Sequence, residues 1–347
     1  MCFVDVGIAI DRYAADIALG REMRMKDQFV RIVVAAFFAL GLNGAAYAAF
    51  PERAITIVVG FAAGGLADQG ARIWADSASK ILGKPVIIFN RVGGSGIIAA
   101  DYVAKAEPDG YLLCFFTPGP FVIQPFFAAV PYKVPDSFVP IITEYINPII
   151  LAANADAPYN TVQELIQYAK KRPGELNYSA SAFAGIERFG VERLQQAGGF
   201  KLTLVPYKGS GESVLALLGG HVQLAAAYLP DLKQFFLKGL LKPIVSLGFD
   251  RSDMPDFNVP TARESGFDVV AITYSGLLAP KGTPKEIVDL LHDVFKKALD
   301  APEFKAGIAR LGMGIRYTDG AQFLEHIKSD YKINEKIIHD LNLSVDR

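Results

Sequence analysis

Cysteine is all but absent from this sequence, with two in 347 residues. Cys2 falls in a segment expected to be removed, which leaves Cys114 alone. An intramolecular disulfide is therefore impossible in the mature chain, even in a compartment that permits one. Cys114 lies in the apolar run Tyr111–Phe116 with no base nearby in sequence, so it reads as a buried core thiol rather than a nucleophile. Histidine is also scarce. His221, His292, His326 and His339 are scattered, no pair has metal-ligand spacing, and no metal is expected. No G-x-S-x-G occurs and no Ser-His-Asp set can be assembled, so the common hydrolase signatures are missing. Runs of Lys and Arg are missing too, and the formal net charge is −1. That balance argues against nucleic acid as a partner.

A long hydrophobic run is the remaining absence. Ile32–Leu42 is too short to span a bilayer. Lys26 and Arg31 precede it and Ala46-Tyr47-Ala48 follows it, which is the layout of a signal peptide cleaved after Ala48 or Ala49. A periplasmic protein is expected. Residues 1–24 have mixed charge and read as an over-extended start, with Met25 or Met23 as the true one.

What the chain does have is apolar bulk and glycine. The 347 residues are enough for two ordinary domains, and with 51% hydrophobic and 20% charged residues a sizeable core is available. The stretch Ala54–Asp68 carries the main signal. Ile55–Val59 is a β-branched, uncharged run that reads as a buried strand. Gly60, Gly64 and Gly65 break it, and a helical pattern follows as far as Gly83. The device then repeats: strand Val86–Phe89, turn Asn90–Gly96, helix Ile97–Ala106. Such turns let backbone N–H groups converge at the positive end of a helix dipole, where an anion can sit. Two of them at the carboxyl edge of one sheet face one crevice.

Residues 54–116 thus form a strand–helix–strand–helix–strand unit of parallel α/β type. The Pro- and aromatic-rich stretch 117–140 reads as a long ordered loop. Ile141–Ala153 is the next strand, broken at Pro148, with a first crossing between lobes near Ala152. A second block repeats the α/β rhythm, with strands at Leu176–Ser179, Lys201–Pro206, Gln223–Tyr228 and Ile244–Gly248. The chain returns at Asp268–Leu278. Thr161–Glu164 and Thr283–Glu286 read as capping boxes. The expected division is 50–151 with 273–347 as lobe 1, and 152–272 as lobe 2.

Candidate ligand contacts follow from this layout. Phe61, Ala63, Gly64 and Gly65 come from the first turn, Gly94, Ser95 and Gly96 from the second, and Thr117 from the end of the third strand. Asp68 touches the ligand, stabilises its own helix N-terminus, or does both. Ser179 and Ser181 either donate to the ligand's far end or serve ordinary turn chemistry. Lys208 and Arg188 either pair with a carboxylate or lie on solvated faces. Tyr228 and Tyr274 either wall the pocket or pack in the core. Gly94–Ala99 also fits the G-x-G-x-x-A dinucleotide fingerprint, but the next strand ends in Thr117-Pro118 with no acid for a ribose, and no cofactor is expected. A secreted hydrolase or lyase using the same anion-binding cleft, or a sensor subunit, remains an alternative.

The motifs Phe-Ala-Ala-Gly-Gly-Leu-Ala-Asp (61–68), Asn-Arg-Val-Gly-Gly-Ser-Gly (90–96), Pro-Asp-Gly-Tyr-Leu-Leu (108–113), Val-Pro-Tyr-Lys-Gly (205–209), Leu-Leu-Gly-Gly-His-Val-Gln (217–223) and Gly-Leu-Leu-Ala-Pro-Lys-Gly-Thr-Pro (276–284) fall in this order. The set resembles the tripartite tricarboxylate transporter receptors, the Bug or TctC-like extracytoplasmic solute-binding proteins, over residues 50–342. The resemblance implies a two-lobed periplasmic-binding-protein fold, type II-like, with two crossing strands. It implies that the two glycine-rich turns hold one carboxylate of a small ligand, that the second lobe closes over it, and that a monomeric receptor is presented to a membrane permease. The chain departs from the family pattern at Tyr178–Arg188, where glycines become alanines and a His becomes Arg188. It departs again at Ala226-Ala227, in place of Phe-Asp, and at Tyr274, in place of Trp. The missing acid at Ala227 favours a ligand whose far end is a second carboxylate or an apolar tail over a distal ammonium.

Overall fold

The computed structural model describes residues 50–181, 185–251, 257–341 and 343. The expected leader and its cleavage site lie outside them, as do Ala182–Ala184 of the second-lobe loop. The described chain opens with β1 (Ile55–Val59), a β-branched strand buried along nearly all its length. After the first glycine-rich turn comes α1 (Leu66–Leu82), ended by Gly83 in the left-handed region (φ 66°), whose N–H donates to Ser79 O. Then follow β2 (Val86–Asn90), a 3-10 turn at Gly94–Gly96, α2 (Ile97–Ala104) and β3 (Leu112–Phe116). β1 lies between β2 and β3, parallel to both.

β4 (Phe138–Asn154) is the strand on which both lobes hang. Its first part pairs antiparallel with β9 (Ile272–Pro280) and with the two-residue β10 (Gly314–Ile315). From Ile149 on it pairs antiparallel with β7 (Leu224–Tyr228) and β8 (Leu241–Ser246). The expected break at Pro148 is absent: the strand runs on, with Pro148 opposite Ile272. The change of partner falls between Pro148 and Ile149, ahead of the expected Ala152. A residue at a change of sheet need not supply a ladder bond, so a missing N–H is tolerated there. The chain recrosses at Ala271, whose N–H donates to Leu247 O at 2.8 Å and whose carbonyl accepts from Ile149 N–H at 3.1 Å.

The second sheet is completed by β5 (Asn177–Ala180), parallel to both β7 and β6 (Thr203–Pro206). Helices α3 (Val162–Lys170), α4 (Ile186–Gly198), α5 (Ser210–Leu218) and α6 (Leu229–Leu237) cover it, with an apolar core on each face. The first sheet is covered by α1, α2, α7 (Lys285–Asp300), α8 (Pro302–Arg310) and α9 (Gly320–Asp340). Trp74 of α1 fastens it to α7: its Nε1 donates to Phe295 O at 3.0 Å and its ring meets Phe295 edge-on at 5.0 Å. The architecture is a two-lobed binding-protein fold with two crossing strands.

Three local features depart from the sequence expectations. α6 has no counterpart in the sequence reading, although Pro230 and Asp231 in its first turn are ordinary helix-start residues. Thr283 does not cap α7; its hydroxyl donates to Pro280 O at 2.8 Å, and Pro284 takes the capping position. At α3 the side chain of Thr161 does accept from Glu164 N–H at 3.2 Å, but Glu164 reaches back to Asn160 N–H rather than to Thr161.

Candidate functional site

The carboxyl ends of β1 and β3 open onto a cavity of about 450 Å³. Its first-lobe wall is built from Phe61, Gly65, Leu66, Ala67, Ser95 and Thr117. Leu66 and Ala67 are the first two residues of α1, where N–H groups have no partner one turn back. The helix dipole adds partial positive charge at the same place. Thr117 is 8% exposed, and its Oγ1 is buried without a hydrogen-bond partner among the described residues. Ser95 holds a left-handed backbone (φ 52°), a conformation costly for a residue with a Cβ and one that recurs at ligand-binding turns.

The facing wall comes from the second lobe and the crossing strands. Ser181 follows β5, Glu187 sits in the first turn of α4, and Tyr228 ends β7. Tyr145 and Asn147 project from β4, and Thr273 from β9. Gly70 makes room for the Tyr145 ring: a Cβ there would lie 2.5 Å from Tyr145 Cε1. That explains a glycine in a helix interior, where it costs about 1 kcal/mol. Met313 closes one end; it precedes β10, which is held in register against Tyr145 and Ile146.

Several residues proposed from sequence fall elsewhere. Asp68 is 2% exposed and turned inward. Its carboxylate accepts from Gly64 N–H at 2.8 Å, Arg72 Nε at 3.0 Å and Asn90 Nδ2 at 2.8 Å. Burial opposes its charge, but the hydrogen bonds from Arg72, Gly64 and Asn90 outweigh it and hold the carboxyl below its usual range. Asp68 therefore braces the first turn, and the Gly64 amide is spent on it. Ala63 and Gly64 are exposed and outside the cavity lining. Gly94 and Gly96 shape the second turn without lining the cavity. Ser179 is fully buried, its hydroxyl donating to Ser213 O at 2.9 Å. Lys208 is exposed and Arg188 lies 3.6 Å from Glu192, one turn along α4. Neither cation lines the cavity. Tyr274, on β9, stacks on Phe116 at 5.2 Å in the first-lobe core and does not line the cavity. Phe61, Gly65, Ser95, Thr117, Ser181 and Tyr228 are brought together.

A sequence model described as "Tripartite tricarboxylate transporter family receptor" matches residues 70–343. The chain belongs to this receptor family. A curated relative from Cupriavidus necator, "UPF0065 protein in gbd 5'region", is 36% identical over 324 residues, covering 90% of this chain and 96% of its own. Among solved structures, R. palustris Rpa4515 with adipate is 31% identical with a TM-score of 0.70, over 84% of this chain and 97% of its own. MatC (Rpa3494) from Rhodopseudomonas palustris with bound malate is 29% identical with a TM-score of 0.66, over 83% of this chain and all of its own (100%). A receptor of this family is a solute-binding protein rather than an enzyme, which sets aside the hydrolase alternative.

Among the described residues the cavity lining does hold one acid, on a different element from Ala227. Ala227 is fully buried and does not line the cavity, whereas Glu187 does. Burial raises the Glu187 carboxyl above its usual range; hydrogen bonds from Ser181 and Tyr228 only partly oppose this, and nearby Asp231 adds to it. Glu187, Asn147, Tyr145 and Thr273 escaped the sequence reading. Glu187 carried a weak signal, an acid one residue into a helix that follows a serine-bearing loop. Asn147 and Thr273 carried none, because only the register between β4 and β9 places them opposite each other.

Proposed function

We propose that this receptor captures a small organic carboxylate in the interlobe cavity, in the periplasm, and as a monomer hands it to a membrane permease of the tripartite tricarboxylate type. The observation that carries the reading is the first-lobe wall: the opening turn of α1 at Leu66 and Ala67 faces the same space as the unpartnered Thr117 hydroxyl. Neutral donors aimed at one spot suit an acid group, directly or through water. The adipate and malate held by the two similar proteins support the choice of a carboxylate. Delivery to a permease rests on family membership. Among the described residues no helix is long and apolar enough to cross a membrane.

The test is calorimetric titration with a panel of organic acids, repeated on Leu66→Pro. Proline is tolerated at the first helical position and removes a single N–H. Leu66→Ala controls for the lost side chain. A loss of about tenfold or more in affinity for Leu66→Pro beyond Leu66→Ala is expected, since a hydrogen bond to a charged group contributes about 1.5–3 kcal/mol. Equal affinity in the two variants would move the acid group away from α1. Fusing a reporter to the leader and following its export tests the compartment.

A further inference from the structure

The two walls of the cavity differ in what they offer. The first-lobe wall presents donors, as described. The facing wall centres on one acceptor, the Glu187 carboxyl, toward which neighbouring hydroxyls donate. Asn147 lies opposite Thr273 in register, and its Oδ1 is buried without a partner among the described residues. Thr273 Oγ1 donates to the Tyr228 hydroxyl at 3.1 Å. The Tyr228 hydroxyl in turn bonds the Glu187 carboxyl, and Ser181 donates to that same carboxyl. Among the described residues no Lys, Arg or His lines the cavity. Glu187, 2% exposed, is the lone carboxyl in that lining.

These facts constrain the far end of the ligand. A second carboxylate would meet the Glu187 carboxyl with no cation to offset it. Like charges in a poorly hydrated space repel strongly. A group that donates hydrogen bonds would find an acceptor in the Glu187 carboxyl, and if cationic it would pair with it. Ionised carboxyls have about four lone-pair sites, so partners at Ser181 and Tyr228 leave capacity for another donor. Burial disfavours the charged form of this carboxyl even with those hydrogen bonds, and a bound cation beside it offsets that penalty.

We propose that the cavity selects a monocarboxylate whose far end is a hydrogen-bond donor, an ammonium foremost, and that Glu187 is the residue that sets this choice. This reverses the expectation drawn from Ala227. It rests on the reading that the acid end sits on the first-lobe wall. It also separates this chain from Rpa4515, whose adipate carries a carboxylate at each end.

The test uses three solutes matched in length and differing at one end: 5-aminovalerate, valerate and glutarate. Titration calorimetry on the wild-type protein should place 5-aminovalerate first and glutarate last, at least tenfold apart. Glu187→Gln should weaken 5-aminovalerate about tenfold and narrow its lead over glutarate, while Glu187→Asp keeps the order. Glutarate binding as tightly as 5-aminovalerate to the wild type would overturn the proposal, whatever the variants do. So would an unchanged ratio in a folded Glu187→Gln protein. Failure of the underlying carboxylate reading has another signature: none of the three acids binds, and both inferences fall together.

Discussion

The two glycine-rich turns look alike in sequence and are built on different principles. The first, after β1, is laced from outside. Asp68 takes the Gly64 N–H, Arg72 and Asn90 grip Asp68, and Gln69 Nε2 donates to Gly64 O at 2.8 Å. The second, after β2, is set by steric fit. Gly93, Gly94, Ser95 and Gly96 all have positive φ, and a Cβ on Gly96 would sit 2.6 Å from Pro120 Cγ. The turns touch: a Cβ on Gly60 would lie 2.8 Å from Gly96 Cα. A glycine can therefore signal a backbone angle, a close approach or both, and sequence spacing alone does not separate them.

Substitutions can separate them. Gly96→Ala should be the most damaging, because it meets Pro120 and also strains a φ of +94°. A loss of about 3 kcal/mol is expected from overpacking and the left-handed penalty together, read from the urea midpoint. Asp68→Asn should cost about 2 kcal/mol by unlacing the first turn. Its pH dependence has a definite sign. The Asp68 carboxyl titrates below its ordinary 3.8 in the folded protein, so its stabilisation is present above that value and is lost as pH falls through the folded pKa. The gap between wild type and variant should thus be widest near neutrality and close in acid.

Gly64→Ala should cost only about 1 kcal/mol, since φ is +82° but nothing lies within 4 Å of the new Cβ. A loss as large as that of Gly96→Ala would mean that the first turn is also set by fit. Ser95→Gly should change stability least, with a gain of about 0.5 kcal/mol or less, because relief of the φ of 52° is offset by greater freedom in the unfolded chain. The same variant should weaken organic-acid binding if the hydroxyl reaches the ligand, so melts with and without acid distinguish the two effects.

Much of the fold was legible because it rests on local rules. β1 and α1 fall where the β-branched run, the apolar periodicity and Gly83 place them. β4 was misread because a proline breaks strands in general but not where a strand changes neighbours. The site was legible in halves. Turn residues such as Gly65 and Ser95 line the cavity because the turns themselves form its rim. Asp68 could be read either way, and Asn90, arriving from another strand, helps decide it. Lys208 and Arg188 were candidates because cations suit carboxylates, yet Lys208 sits in the exposed turn between β6 and α5, Arg188 lies along α4 beside Glu192, and neither lines the cavity. Glu187 was passed over because an acid is the last residue type sought in a site expected to hold an anion.

β4 yields its partners between Pro148 and Ile149, and the returning chain crosses beside it at Ala271. Asn147 and Thr273 stand next to this fulcrum. On the proposed reading, in which the lobes close over a ligand, points close to the pivot would hardly travel, so these two side chains would hold it equally well in an open or a shut molecule. A grip of equal strength in both shapes shifts neither. On that reading the leverage for shutting would come from partners that the swing itself brings together, with Ser95 on one jaw and Glu187 on the other.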